Sequence, residues 1–259
     1  MVREKSENSW LAKKRRERGR RALVRQLDYQ EKKRTQIKGQ EHIIFLNMLK
    51  RANSLHQRLN AIQQIKNTDK ILEVGSGAHG LIFGFRNNLS IGIDPLAVDY
   101  KKLFPYWQKD TKTLAAIGEK LPFADGEFDI VLSDNVIDHA EKPISIIEEF
   151  SRVLKSGGLL YFTVNVHHPI YQIASNMHGL WNALGIKFEL SPFADHTIHF
   201  TETRVLQVFD SLPFDIIEQY STIDELKKNN RLSNSTGIEG RLKKLFFKNA
   251  LLEIIAFRK

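Results

Sequence analysis

The strongest constraint on this chain is a glycine turn placed directly after a short apolar run. Lys70-Ile-Leu-Glu-Val74 is followed by Gly75-Ser-Gly77-Ala-His-Gly80. An apolar run of that length stopped by glycine reads as a strand entering a tight turn. Glycine there bends the backbone sharply and lets a ligand lie against bare main chain. Ser90-Ile-Gly-Ile-Asp94 reads as a second strand that ends in an acid, and Pro95 suits the first turn of a following helix. The turn has the spacing G-x-G-x-x-G, with Asp94 nineteen residues beyond Gly75. Those two facts suit a nucleoside-binding site and fit a nicotinamide dinucleotide enzyme equally well.

The rest of the chain repeats this alternation. Residues 41–66 carry apolar side chains at threes and fours and predict one or two amphipathic helices. Residues 79–87 predict a helix, 128–133 a strand, and 143–155 a helix ended by Ser156-Gly157-Gly158. Residues 159–166 predict a further strand. A helix near 202–211 precedes two last strands, at 214–220 and 250–257. Strands alternating with helices form a parallel sheet covered on both faces, an α/β Rossmann-like architecture. Residues 165–200 are long, irregular and rich in His, which suits a substrate cap.

Charge divides the chain. Residues 1–40 hold 14 Lys or Arg against 5 Asp or Glu, whereas the remaining 219 residues hold 25 of each. The expectation is a basic, flexible arm (1–40) on a neutral body (41–259). The densest part of the arm, within residues 13–25, can hold RNA phosphates or rest on an anionic membrane surface. No signal core, long apolar run or cysteine occurs. This points to the cytoplasm, with peripheral membrane contact through the arm. Oligomeric state is not legible.

The charge of the turn favours one ligand class. Glu73, two residues before the first glycine, would repel a pyrophosphate. It would favour a ligand bearing a sulfonium and an ammonium. Asp94 can accept hydrogen bonds from ribose hydroxyls in either case.

Three later segments add a family resemblance. Glu119-Lys-Leu-Pro-Phe-Ala-Asp-Gly-Glu-Phe-Asp-Ile-Val131 resembles the E-x-L-P-F-x-D-x-x-F-D-x-V stretch of ubiquinone-biosynthesis-like (type 11) class I S-adenosylmethionine (SAM)-dependent methyltransferases. Phe150-Ser-Arg-Val-Leu-Lys-Ser-Gly-Gly158 resembles their RVLKPGG segment, with Ser156 in place of proline. Asp195-His-Thr-Ile-His-Phe200 resembles an H-x-x-x-F cap segment. The likeness covers about residues 68–220. It implies a seven-stranded sheet with an antiparallel last strand. It also implies cofactor-binding roles for Glu73, Gly75, Ser76, Gly77, Asp94, Pro95, Glu119, Lys120 and Asp134. Residues 117–121 would flank the adenine, and Asp134 would lie under the methionine end. Gly80 stands one residue late for the family's third glycine, and Ile117 replaces an acid that contacts adenine.

Such an enzyme aligns an acceptor with an already activated methyl group and excludes water. A histidine can remove the acceptor's proton. His139, His168 and His196 are the catalytic candidates, with His167 and His199 nearby. Asn135, Asp138 and His139 have i, i+3, i+4 spacing and are expected on one helix face. Asn135-Val-Ile-Asp-His139 resembles E-V-I-E-H, where family members bind a divalent metal. Asn135 removes one acid, so Asp138 and His139 are weak metal candidates and no metal is expected. Tyr106, Trp107, Tyr171, Trp181, Phe188 and Phe193 are candidates to line an apolar pocket. The expected reaction is methyl transfer from SAM to a small-molecule or lipid-linked acceptor, at oxygen. The alternatives are an RNA methyltransferase using the basic arm, and a non-catalytic SAM-fold binding protein.

Overall fold

The computed structural model describes residues 10–109, 112–170, 200–232, 247 and 249–259. Its centre is a seven-stranded sheet of order β3-β2-β1-β4-β5-β7-β6. The strands are β1 (Lys70–Val74), β2 (Leu89–Ile93), β3 (Thr113–Leu114), β4 (Phe128–Asp134), β5 (Leu154–Val166), β6 (Phe214–Ser221) and β7 (Ala250–Arg258). The helices are α1 (Trp10–Gln36), α2 (Glu41–Ile62), α3 (Ala97–Leu103), α4 (Pro105–Gln108), α5 (Pro143–Val153), α6 (Glu202–Asp210) and α7 (Ile223–Leu232). The first five strands pair in parallel. β7 runs antiparallel between β5 and β6. The expected antiparallel last strand is therefore present.

Side chains alternate across the sheet, so each strand feeds two cores. Leu72, Val74, Val131, Phe162 and Ile254 pack against α5 and α6 through Ile147, Phe150, Val205 and Phe209. Ile71, Ile130, Leu132, Leu159 and Ile255 face the other way, towards Leu55 and Leu59 of α2, Tyr100 of α3 and Trp107 of α4. Met48, Ala52, Leu55 and Leu59 form the buried stripe of α2 at steps of four, three and four.

The residues resembling family motifs brace one another. The Arg152 guanidinium donates to Glu149, to Asp125 and to the carbonyls of Leu121 and Phe123, all between 2.7 and 3.1 Å. Glu149 Oε2 accepts from Leu121 N at 2.6 Å. One arginine on α5 thus pins the whole loop of residues 121–125 before β4.

Several expectations need correction. Only Leu81–Gly84 of residues 79–87 is helical, as a single 3-10 turn. A Cβ on Gly84 would lie 2.3 Å from the Ala52 Cβ, so α2 packs directly on this glycine. The helix of 143–155 ends at Val153, and β5 starts at Leu154, running straight through Ser156-Gly157-Gly158. Asn135, Asp138 and His139 do not share an α-helix face. Asn135 has a φ of +56°, and a 3-10 turn covers Ile137–His139. Within the basic arm the described residues Trp10–Gln36 form α1, in which Gln30 is buried. No helix among the described residues is long and apolar enough to cross a membrane.

Candidate functional site

The site is built at the carboxyl ends of β1, β2 and β4, where a parallel sheet leaves its crevice. Gly75 has a φ of +73° and Gly77 a φ of +57°, values that glycine adopts without strain. The amides of Gly75 and Ser76 both donate to Ile93 O, at 2.8 and 2.9 Å. A Cβ on Gly75 would come within 2.3 Å of a Val136 methyl, whereas one on Gly77 would meet nothing closer than 3.9 Å. The first glycine is needed for packing against the turn after β4. The second leaves open space above bare backbone.

The two expected acids hold this loop from opposite sides. Glu73 is buried, and its carboxylate accepts from Leu81 N at 2.9 Å and Ile82 N at 2.8 Å. Burial pushes its pKa up to about 8, with those two amides and Arg51 pulling the other way. Asp94 accepts from Gly77 N at 3.1 Å and from Leu96 N at 2.8 Å. Burial raises its pKa, and the Leu96 and Gly77 amides oppose the shift.

Asp134 ends β4 on the same sheet face as Glu73. It accepts from Thr163 Oγ1 at 2.8 Å and is paired with the Arg51 guanidinium of α2. Arg51 also feels the charge of Glu73. Two turns further along α2, Arg58 bridges Glu218 and Glu253 at 2.5 Å each, and Tyr161 donates to Glu253 at 2.8 Å. A row of carboxylates along the sheet edge is thus met by two arginines of one helix. The amphipathic pattern of α2 showed only its apolar stripe, and nothing local marked Arg51 or Arg58.

The loop has a further support that sequence reasoning missed. Trp107 Nε1 donates to Ala78 O at 2.7 Å, and Gln108 Nε2 donates to Gly77 O and Ala78 O at 3.1 Å. Trp107 is 2% exposed and belongs to the core rather than to a substrate pocket, while Tyr106 lies at the surface. The His79 ring packs on Phe104 and Trp107 at 4.9 and 5.2 Å. Burial, helped by Lys33, lowers its pKa to about 4.

Glu119 turns its carboxylate to the amides of Glu141 and Lys142, at 3.0 and 3.3 Å, ahead of α5. Pro95 and Lys120 are exposed, and Ser76 is buried. Asn135 fits its left-handed backbone better than glutamate would. Its Oδ1 accepts from Asn165 N at 3.1 Å. Asp138 is fully buried, and among the described residues no group of three or more metal-ligating side chains occurs. His168 accepts from Ile170 N at 3.3 Å and packs edge-on to Phe247 at 5.5 Å. The side chain of His139, and His196, His199, Tyr171, Trp181, Phe188 and Phe193 with most of the expected cap, lie outside the described residues.

Residues 72–162 match the family model of the methyltransferase domain. This stretch runs from the second residue of β1 into β5 and contains the glycine turn, Asp94 and Asp134. Over residues 72–162 the chain therefore carries a methyltransferase domain. An uncharacterized protein of Methanocaldococcus jannaschii is 40% identical over 87 residues, 34% of this chain and 40% of that one. An uncharacterized methyltransferase of Schizosaccharomyces pombe is 32% identical over 112 residues, 38% of this chain and 40% of that one. The chain thus spans about two fifths of the length of these curated relatives. A solved structure of a putative methyltransferase from Bacillus halodurans is similar in fold, with a TM-score of 0.56 at 16% identity. The match covers 78% of this chain and 97% of that one.

Proposed function

We propose that this methyltransferase moves a methyl group from SAM to a small-molecule or lipid-linked acceptor, at oxygen. The supporting observation is the pairing of Arg51 with Asp134 beside the glycine turn. An α-amino acid head is a zwitterion, and a guanidinium next to a carboxylate offers each of its charges a partner. A cation bound beside the buried Glu73 carboxyl favours its ionised form, which suits a sulfonium. The open face of Gly77 fits a ligand lying on main chain, and Asp94 has lone pairs left for ribose hydroxyls. The residues present therefore fit SAM. Bound SAM would supply a methyl group already activated by positive sulfur.

The chain's own residues then have positioning work. Glu73, residues 75–77 and Asp134 orient the methionine part. Asp94 and Pro95 orient the ribose, and residues 117–121, with Glu119 and Lys120, border the adenine. His168, His139 and His196 are the candidates to take the acceptor's proton. A second reading, an acceptor carried by RNA, is favoured by the cationic helix α1 lying beside the same edge.

Calorimetry with SAM, its demethylated product and NADH tests the proposal. The expected outcome is micromolar binding of the first two and none of NADH. Asp94→Ala is expected to weaken SAM binding by at least tenfold. NADH binding without SAM binding would refute the reading.

A further inference from the structure

We propose that the outward face of α1 is a track for the phosphate backbone of single-stranded RNA, laid along the rim of the cofactor edge. The proposal deepens the RNA reading above, and it rests on the placement of α1 rather than on the identity of the cofactor.

The helix carries eleven Lys or Arg against three Asp or Glu. One side of it is committed to the body. Gln30 and Ile37 are buried, and Gly19, Ala22 and Lys33 are half-buried. These positions recur at steps of three, eight, three and four, which keeps them on one face. A Cβ on Gly19 would lie 2.9 Å from Glu141 Oε1, in the loop after β4. Gln26 hydrogen-bonds Tyr100, whose hydroxyl feels the charge of Asp94. Lys33 acts on His79 in the glycine loop. Helix α1 therefore runs from the loop after β4, past Asp94, to the loop after β1.

The solvent side is cationic. Arg21, Arg25 and Lys32 recur at steps of four and seven, which keeps them on one helix face. Arg20, Arg21, Arg25 and Lys32 are exposed. The eleven residue steps from Arg21 to Lys32 span about 16 Å of helix, enough for two or three consecutive phosphates. Arginine outnumbers lysine in this row, and its planar fork suits phosphate oxygens.

A second observation points to nucleic acid. Tyr29 is 59% exposed and sits four residues after Arg25 and three before Lys32. An exposed ring among backbone-binding cations is a stacking platform for an unpaired base. An anionic membrane fits less well, because a helix lying on lipid needs a free apolar face. The exposed apolar residues Leu23, Val24 and Tyr29 fall on three different sides of the helix.

The test uses the full chain and a fluorescein-labelled 15-nucleotide oligouridine, titrated by anisotropy across a range of salt. The expected plot of log affinity against log salt has a slope of about −2, from three phosphate contacts. Arg21→Glu with Lys32→Glu is expected to lower affinity more than tenfold and flatten the slope. Arg34→Glu with Lys38→Glu makes the same charge change at exposed positions off the row, and should cost less than threefold. Tyr29→Ala should lower affinity about tenfold at an unchanged slope. Equal losses in the two charge-reversal variants would overturn the proposal. So would full affinity in Tyr29→Ala, or tighter binding to phosphatidylserine vesicles than to RNA.

Discussion

Gly75 and Val136 are in contact across the carboxyl edge, and a Cβ on Gly75 would lie 2.3 Å from Val136 Cγ2 and 2.5 Å from Cγ1. Gly75 also has a φ of +73°, which costs a non-glycine residue about 1–2 kcal/mol. Gly75→Ala is expected to abolish detectable SAM binding. Adding Val136→Ala removes both clashing methyls and leaves a tight 3.0 Å approach to the residue 136 Cβ and the backbone cost, so binding should return in part, to within about tenfold of the parent. Calorimetry on both variants checks this. No recovery in the double variant would show that the steric account is wrong.

The protonation of Glu73 predicts a linked proton. Its pKa of about 8, raised by burial, leaves the carboxyl largely protonated at pH 7. In the free protein this group therefore costs stability as pH rises from 4.5 towards 8. A cation bound beside it favours the ionised form. SAM binding at pH 7 should release close to one proton, and the uncharged thioether product should release fewer. Calorimetry in buffers of different ionisation enthalpy reads the number directly, and equal release by both ligands would count against this role for Glu73.

His79 sets an opposite pH window. Its folded pKa of about 4 lies below the ordinary 6.5 because burial and Lys33 disfavour the charged ring. An unfolded chain takes up that proton first, so stability falls as pH drops from 6.5 to 4. The total loss is of order 2–3 kcal/mol. His79→Phe keeps the packing on Phe104 and Trp107 and has nothing to protonate. Its melting temperature should exceed the parent's at pH 5 by several degrees, with the gap closing at pH 8. Parallel curves of melting temperature against pH would sink this assignment.

Arg152 is the brace of the loop before β4. Arg152→Ala leaves the Leu121 and Phe123 carbonyls without their donor, a cost of about 2 kcal/mol. The expected fall in melting temperature is about 4–8 °C. Arg152→Lys should recover little of it, since an ammonium cannot reach two carbonyls and two carboxylates in fork geometry.

The sequence determined the strand ends by itself. Apolar runs stopped by glycine or by an acid put Glu73, Asp94 and Asp134 at the carboxyl edge, and alternation with helices dictated a parallel sheet. These signals are local, set by backbone and burial preferences over a few residues, so they can be read without the fold. Tertiary structure decided the rest. Arg51 meets Asp134 across 83 residues, and Gln108 supports Gly77 across 31. Such contacts depend on how α2 and α4 dock, which no local spacing encodes. Two local expectations failed. Residues 79–87 hold one 3-10 turn, with α2 packed directly on Gly84, and the left-handed Asn135 broke the helix face expected for Asp138 and His139. The charge of α1 was plain in its composition. Its place beside the cofactor edge came only from burying Gln30 and Ile37 against the body, because the helix side that docks is chosen by its partner surface.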